Sequence, residues 1–296
     1  MNAPIIHLDH LQKNFAAKAV LRGIDLAIEP GTVLGLLGAN GSGKTTLIKC
    51  ALGLLRPTTG SATVFGEDAW DLSAAAKARL GYVPQEVTSY PWMRVRQVIA
   101  YTAAFYPRWN QNFVDDLCHR WHVPLEDRVG ALSTGQLQTV GIVLALGHEP
   151  ELLVLDEPVA SLDPAARREF LRTILDMLES HERTILFSTH ITSDLERVAN
   201  RVAILDNGRI RFHGELDELK DRVKRLRISS RRELPDSFAV PGALRSEVSG
   251  THATVCVANF DERLAADMRQ TWDADVAIQD LNLEEIFVEM HNGSAT

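Results

Sequence analysis

Cysteine is scarce in this chain of 296 residues: three, at Cys50, Cys118 and Cys256, odd in number and far apart. That pattern excludes a paired disulfide framework and a cysteine-rich metal site, and it suits a reducing cytoplasm. Long apolar runs are missing too. None approaches the roughly 20 residues a membrane-spanning helix needs, so the chain is expected to be soluble, with any membrane role coming through a partner. The N-terminal Met1-Asn2-Ala3-Pro4 lacks the basic and apolar regions of a signal peptide. Positive charge is in deficit: 31 Lys and Arg against 39 Asp and Glu leave a net charge of −8, so no nucleic-acid partner is expected. The exception is a basic run from Lys220 to Arg232. It reads as a solvated helix end followed by a strand with one exposed face, in preference to a patch for nucleic acid or anionic lipid. What remains, 45% hydrophobic and 24% charged residues, is ordinary for a globular protein.

One stretch is far from ordinary. Gly38-Ala39-Asn40-Gly41-Ser42-Gly43-Lys44-Thr45 fits G-x-x-x-x-G-K-[ST] at every fixed position. The apolar Thr32–Leu37 before it reads as a buried strand. Thr45 to Leu54 after it reads as a helix beginning Thr45-Thr46 and ended by Gly53 and a Pro57-Thr58-Thr59-Gly60 turn. Strand, glycine loop and helix are the context in which backbone N–H groups turn inward to cradle phosphate. The helix N-terminus adds about half a positive charge. Lys44 offers a full charge to the β- and γ-phosphates, and Thr45 a hydroxyl to Mg²⁺. A bound nucleoside triphosphate is the expectation.

Along the chain, residues 4–29 alternate as antiparallel strands, continued by Ser61–Phe65, and Leu80–Val83 is a short strand. Between Glu86 and Gly147 helical spacing takes over, with helices expected at 94–106, 112–122 and 135–146. Leu152–Leu155 and Thr184–Phe187 are apolar enough for strands covered on both faces. Asp163-Pro164 opens a helix with an N-cap and a first-turn proline, and Phe170, Leu171, Ile174, Leu175 and Leu178 recur on its apolar face. Ser193-x-x-Glu196 fits a capping box, and Asp206-Asn207-Gly208-Arg209 a hairpin turn between Val202–Leu205 and Ile210–Phe212. The fold class is α/β, with a largely parallel sheet and an added antiparallel part. Beyond about 220 a small α+β unit follows, with strands at 226–228, 252–257 and 276–279 and helices at 261–272 and 283–290.

Asp156 and Glu157 close the apolar strand, at the end where open α/β sheets bind ligands. One carboxylate can hold Mg²⁺ and its neighbour, pointing elsewhere, can reach an attacking water. In the same order along the chain stand Gln85 in Val83-Pro84-Gln85, the segment Leu132-Ser133-Thr134-Gly135-Gln136, then Ser161-Leu162-Asp163, and His190 in Ser188-Thr189-His190. Together with the phosphate loop, this set resembles the ABC ATPases over roughly residues 4–220: the L-S-G-G-Q signature, the Q-loop at Gln85, the D-loop at Asp163 and the switch histidine at His190. Phe15 in Lys13-Asn14-Phe15 is similar to the family's adenine-stacking aromatic. Alone, His190 and Phe15 would pass for surface or core residues; order and spacing single out Gln85 and His190.

The resemblance implies a P-loop NTPase cassette over 4–220, with mixed sheet core, antiparallel β part and a helical subdomain at about 86–147, followed by a small C-terminal domain over 221–296. It implies ATP and Mg²⁺ as ligands, the ion near Thr45, Gln85 and Asp156. It implies two cassettes head to tail, as a homodimer or heterodimer, each ATP lying between Gly38–Thr46 of one chain and Ser133, Gly135 and Gln136 of the other. Glu157 would be the general base, with His190 and Lys44 at the γ-phosphate. Thr134 departs from the family by replacing the first signature glycine, and Leu137 and Thr139 stand where basic residues often follow, which implies a slower or asymmetric site. Tyr90-Pro91-Trp92-Met93-Arg94-Val95 resembles the segment that receives a permease, and Leu283–Val288 resembles the tail of ABC-2-type exporter ATPases. The implied function is an exporter's ATP-hydrolysing subunit on the cytoplasmic face of the membrane. Two other readings are a soluble non-transport ABC ATPase and a low-turnover nucleotide-gated module.

Overall fold

The structure, a computed structural model, describes residues 3–180, 183–235 and 238–292. The chain divides into two compact units between His213 and Gly214.

The first unit begins with β1 (Ile6–Phe15) and β2 (Lys18–Ile28), antiparallel and closing at the Phe15–Lys18 pair. Their inward residues, among them Ile6, Leu8, Leu11, Leu21, Ile24 and Leu26, are buried. Next come β3 (Val33–Leu37), every residue of it buried, and α1 (Lys44–Ala51). Gly53 ends that helix at φ +67°, where any side chain would also run into the Ala69 carbonyl. β4 (Thr59–Val64) pairs with β1 and β5 (Glu67–Asp68) with β4, giving an antiparallel sheet of order β2-β1-β4-β5. A short α2 (Ala74–Lys77), capped by the Ser73 hydroxyl, leads to β6 (Leu80–Val83). This 67–77 segment carries no periodic apolar signal and is not foreseen from the sequence.

The helical block holds α3 (Val95–Ala103), α4 (Gln111–Arg120) and α5 (Thr134–Leu146). Then follow β7 (Leu152–Asp156), α6 (Pro164–Ser180), β8 (Thr184–Thr189), α7 (Thr192–Val198), β9 (Arg201–Asp206) and β10 (Arg209–Glu215). The second sheet has order β10-β9-β3-β8-β7-β6. Its pairings β6–β7, β7–β8, β8–β3 and β3–β9 are all parallel. β7 and β8 are buried throughout, as their continuous apolar runs require. Asn207 and Gly208 both take positive φ, the left-handed pair a two-residue hairpin needs. One apolar cluster joins the sheets: Leu8 and Leu26, Leu36 and Val154, with Leu47 and Ile48 of α1.

Two details correct the sequence reading. Ile191, not Ser193, occupies the N-cap of α7, because the Thr189 hydroxyl accepts the Ile191 N–H (3.0 Å) and starts the helix two residues early. Leu175 faces outward, and Met177 takes the buried place on α6.

The second unit contains α8 (Leu216–Arg222), β11 (Lys224–Ser230), β12 (Ala243–Ser249), β13 (His252–Val257), α9 (Glu262–Trp272), β14 (Ala274–Asp280) and α10 (Leu283–Asn292). The expected boundary after 220 falls inside α8. That helix is tied into this unit, where Phe260 N–H donates to the Arg222 carbonyl (2.8 Å) and the Arg222 guanidinium to Asn259 Oδ1 (2.6 Å). The sheet is antiparallel, of order β12-β13-β11-β14. Leu226, Ile228, Val255 and Val276 pack with Ala265 and Met268 of α9. Part of the basic run is paired within the unit: Arg222 with Glu218 (3.2 Å), Lys224 with Asp280 (2.7 Å), Arg225 with Glu285 (2.9 Å) and Glu289 (3.1 Å). β12 is missing from the sequence reading because its residues are nearly all exposed and show no alternation.

Candidate functional site

Parallel pairing places the carboxyl ends of four strands on one sheet edge. Leu37 pairs with Thr189, Asp156 with Ser188 and Val83 with Leu155. The residues just beyond these ends are Gly38, His190, Glu157 and Gln85, so four segments distant in sequence meet at one cleft of about 430 Å³. Asn40, Gly41, Gly43, Lys44, Thr45, Thr46, Gln85, Glu157 and His190 line it, with Lys18, Val20 and Ala160.

The loop bends as its glycines permit. Gly41 (φ +79°) and Gly43 (φ +109°) are left-handed, and a Cβ at Gly38 would sit 2.6 Å from the Leu205 carbonyl. Gly43 is the N-cap of α1 and offers no side chain to its first turn, so the N–H groups of Lys44, Thr45 and Thr46 are free of a side-chain cap at the cleft they line. Ala39 accepts the Ser42 N–H (3.1 Å), closing the loop. Lys44 is nearly buried, and its ammonium donates to the Gly38 carbonyl at 2.7 Å.

Glu157 stands opposite. It is 5% exposed, and its two carboxylate oxygens divide between Lys44 Nζ (3.2 Å) and His190 Nδ1 (2.8 Å). Its φ of +50° is unusual for a residue with a side chain. Asp156, fully buried, accepts the Ser188 hydroxyl at Oδ1 (2.6 Å). Its Oδ2 is buried with no hydrogen-bond partner among the described residues. Gln85 Oε1 accepts the Thr45 hydroxyl at 3.3 Å. Beneath them Tyr82 has its phenol pushed up to about 12, chiefly by burial and further by Asp156.

Phe15 does not line this cleft. It is 46% exposed at the tip of β1, under Lys13 Nζ (5.1 Å), and its ladder partner Lys18 does line it. Ser133, Gly135, Gln136 and Asp163 line a different cleft of about 840 Å³ with Thr134, Thr139, Ser161 and Leu162. Ser133 caps α5: its hydroxyl accepts the Gln136 N–H (3.2 Å), and its own N–H donates to Gln136 Oε1 (2.9 Å). Gly135 lies against the Ser161 carbonyl, 2.7 Å from where a Cβ would stand. Thr139 donates its hydroxyl to the Gly135 carbonyl (3.0 Å). Asp163 caps α6 by accepting the Ala165 (2.8 Å) and Ala166 (3.1 Å) N–H groups, which hold its carboxyl below the usual range. The segment 157–163 thus runs from one cleft to the other.

Residues 21–160 match the ABC transporter family model. An ABC transporter ATP-binding protein of Bacillus subtilis, YdbJ, is 33% identical over 213 residues, 71% of this chain and 69% of that one. This chain belongs to the ABC transporter family. The bacitracin transport ATP-binding protein BcrA of Bacillus licheniformis is 31% identical to it over 75% of this chain and 73% of its own length. A solved ATP-binding subunit of an ABC transporter superposes with a TM-score of 0.68 at 27% identity, covering 73% of this chain and 92% of that one. The chain is an ATP-binding cassette, and among its described residues no helix is long and apolar enough to cross a membrane.

Sequence reasoning missed three residues that line the smaller cleft and a fourth that touches one of its acids. Lys18 and Val20 reach the cleft only through the β1–β2 hairpin, and Ala160 through the loop after Glu157. Ser188 reaches Asp156 through the β7–β8 register. The segment after Gln85 shows a further feature. Tyr90, Trp92, Tyr101 and Phe105 are all at least 40% exposed, yet their rings form a chain with centroids 5.0–5.6 Å apart. Trp92 is 68% exposed. The three cysteines are buried free thiols, pushed up by burial to about 11 (Cys50, Cys118) and about 12 (Cys256).

Proposed function

We propose that this cassette hydrolyses ATP with Glu157 as general base, acts as a head-to-tail pair, and drives a separate membrane permease in the export direction. The observation that carries the reading is Glu157 itself, an almost buried carboxylate clasped between the phosphate-loop lysine and His190. In this reading Lys44 and the N–H groups of the glycine loop bind the β- and γ-phosphates and stabilise charge that builds up during transfer. A water attacks the γ-phosphorus, the bond to the ADP oxygen breaks, and Glu157 takes the water's proton. His190 holds the Glu157 carboxylate in place through Nδ1. Phe15 stacks on adenine. Mg²⁺ fits the residues present: Thr45 and Gln85 are side by side, and Asp156 Oδ2 is a buried acceptor without a partner among the described residues. Bound there, the ion neutralises phosphate charge.

Ser133, Gly135 and Gln136 form a helix N-terminus in a cleft apart from the phosphate loop, which supports delivery of the signature to the ATP of a second cassette. The exposed ring chain of Tyr90, Trp92, Tyr101 and Phe105 is an apolar patch suited to a permease helix. BcrA, named for bacitracin transport, supports transport, and a Rhizobium etli relative named for Nod factor export, 29% identical over 96% of this chain, supports the export direction. A test is co-expression with a candidate multi-span permease subunit. The intact chain should co-purify with it and show turnover stimulated by it, and Trp92→Ser with Phe105→Ser should lose co-purification while keeping ATP binding. Retained co-purification would remove the patch from the docking surface.

A further inference from the structure

We propose that Ser188 is a positioning residue of the hydrolytic site, its hydroxyl coupling the Asp156 carboxylate to the Glu157 backbone. The inference rests on the proposed roles of those two acids. Register is the origin: β7 and β8 are parallel and Ser188 pairs with Asp156, so neighbouring strands present the two side chains to one another. Both residues are fully buried. A hydroxyl has one proton and two lone pairs, and both capacities are used. Ser188 Oγ donates to Asp156 Oδ1 at 2.6 Å, the short distance of a bond to a charged acceptor, and accepts the Glu157 N–H at 3.0 Å.

The same Glu157 N–H lies 3.1 Å from the Ser188 carbonyl. Two acceptors of one residue thus fasten the amide of Glu157 where its φ turns to +50°. That turn is what carries its side chain to Lys44 and His190. On the Asp156 side, engagement of Oδ1 restrains the carboxylate, so that Oδ2 stays the oxygen without a hydrogen-bond partner among the described residues. A single hydroxyl therefore sets the orientation of the acid assigned to the cation and the backbone of the acid assigned to the water. An alanine would preserve the strand and much of the packing while removing both bonds, so hydroxyl and volume can be separated.

The test uses the full chain with Ser188→Ala, Ser188→Thr and Ser188→Cys. Two readouts are needed: steady-state turnover, and the affinity for a fluorescent ATP analogue with and without Mn²⁺. Ser188→Ala should lower kcat roughly tenfold to a hundredfold, the size of one hydrogen bond to a charged group. It should leave metal-free nucleotide affinity within about twofold, while the tightening that Mn²⁺ brings shrinks several-fold. Ser188→Thr, which keeps the hydroxyl, should recover most of both, and Ser188→Cys should not. Wild-type kcat and Mn²⁺ response in Ser188→Ala would overturn the proposal. So would equal impairment of the Thr and Cys variants, a comparison that stands even where the alanine variant does not fold. If Glu157→Gln kept full turnover while Ser188→Ala lost the Mn²⁺ response, the base assignment would fail and the Asp156 half of the coupling would survive.

Discussion

His148 makes the cassette acid-sensitive from the inside. The residue precedes β7, at the end of the sheet opposite the nucleotide cleft. Its ring is 6% exposed, stacks on Tyr106 with centroids 3.9 Å apart, and points Nε2 at the Leu80 carbonyl (3.1 Å). With Nε2 donating there, Nδ1 is the bare nitrogen, and it is buried with no partner among the described residues. A proton on Nδ1 would be a buried donor without an acceptor on a charged ring. Burial accordingly pushes the pKa of His148 down from 6.5 to about 4, against a smaller opposing effect of the Leu80 carbonyl. The folded value lies below the unfolded one, so between these limits the unfolded chain binds more protons. Stability is complete above pH 6.5 and is lost as pH falls toward 4. Two to three pKa units correspond to on the order of 3 kcal/mol at full effect, and about 2 kcal/mol of it is gone by pH 5. The assay is denaturant unfolding of wild type and His148→Gln from pH 7.5 to 5, following a probe in the first unit. Glutamine can still donate to Leu80 but does not titrate. The stability difference between the two proteins should shift by about 2 kcal/mol toward the variant over that range. A difference flat to within a few tenths of a kcal/mol would refute a buried neutral His148.

Two other substitutions concern the start of α5. Gly135→Ala should lower the melting temperature and cost about 1–3 kcal/mol, because the new Cβ meets the Ser161 backbone carbonyl at 2.7 Å and backbone cannot step aside. An unchanged melting curve would mean that the 157–163 segment moves freely. Thr134→Gly removes an exposed side chain from the first position of α5 and should raise turnover several-fold with unchanged monomer ATP affinity, if that side chain hinders approach of the two cassettes. Unchanged kcat would clear Thr134.

The phosphate loop was legible because its function is written in local spacing: glycines at the left-handed positions, Lys44 after them, an apolar strand before. The position of Glu157 was legible too, since an apolar strand that ends in two acids has only one end at which to put them. Its grip by Lys44 and His190 was not, because that depends on which strands are neighbours. The dual bond of Ser188 was hidden for the same reason. It sits among Ser188-Thr189-His190, where the histidine draws attention, and only the β7–β8 register turns the serine toward Asp156. Lys18 and Val20 could have been found only by knowing that the β1–β2 hairpin reaches the loop. In the second unit, β13 with its buried alternate residues was readable, whereas β12, exposed almost throughout, offered no pattern to read.

The most direct test of the account is Mg²⁺-dependent ATP hydrolysis by the purified chain across a concentration series, beside Glu157→Gln. The account predicts turnover that rises as dimers form, and a variant that has lost it by at least a hundredfold while ATP holds it as a dimer. Wild-type turnover in Glu157→Gln, or hydrolysis by a strict monomer at the full rate, would contradict it.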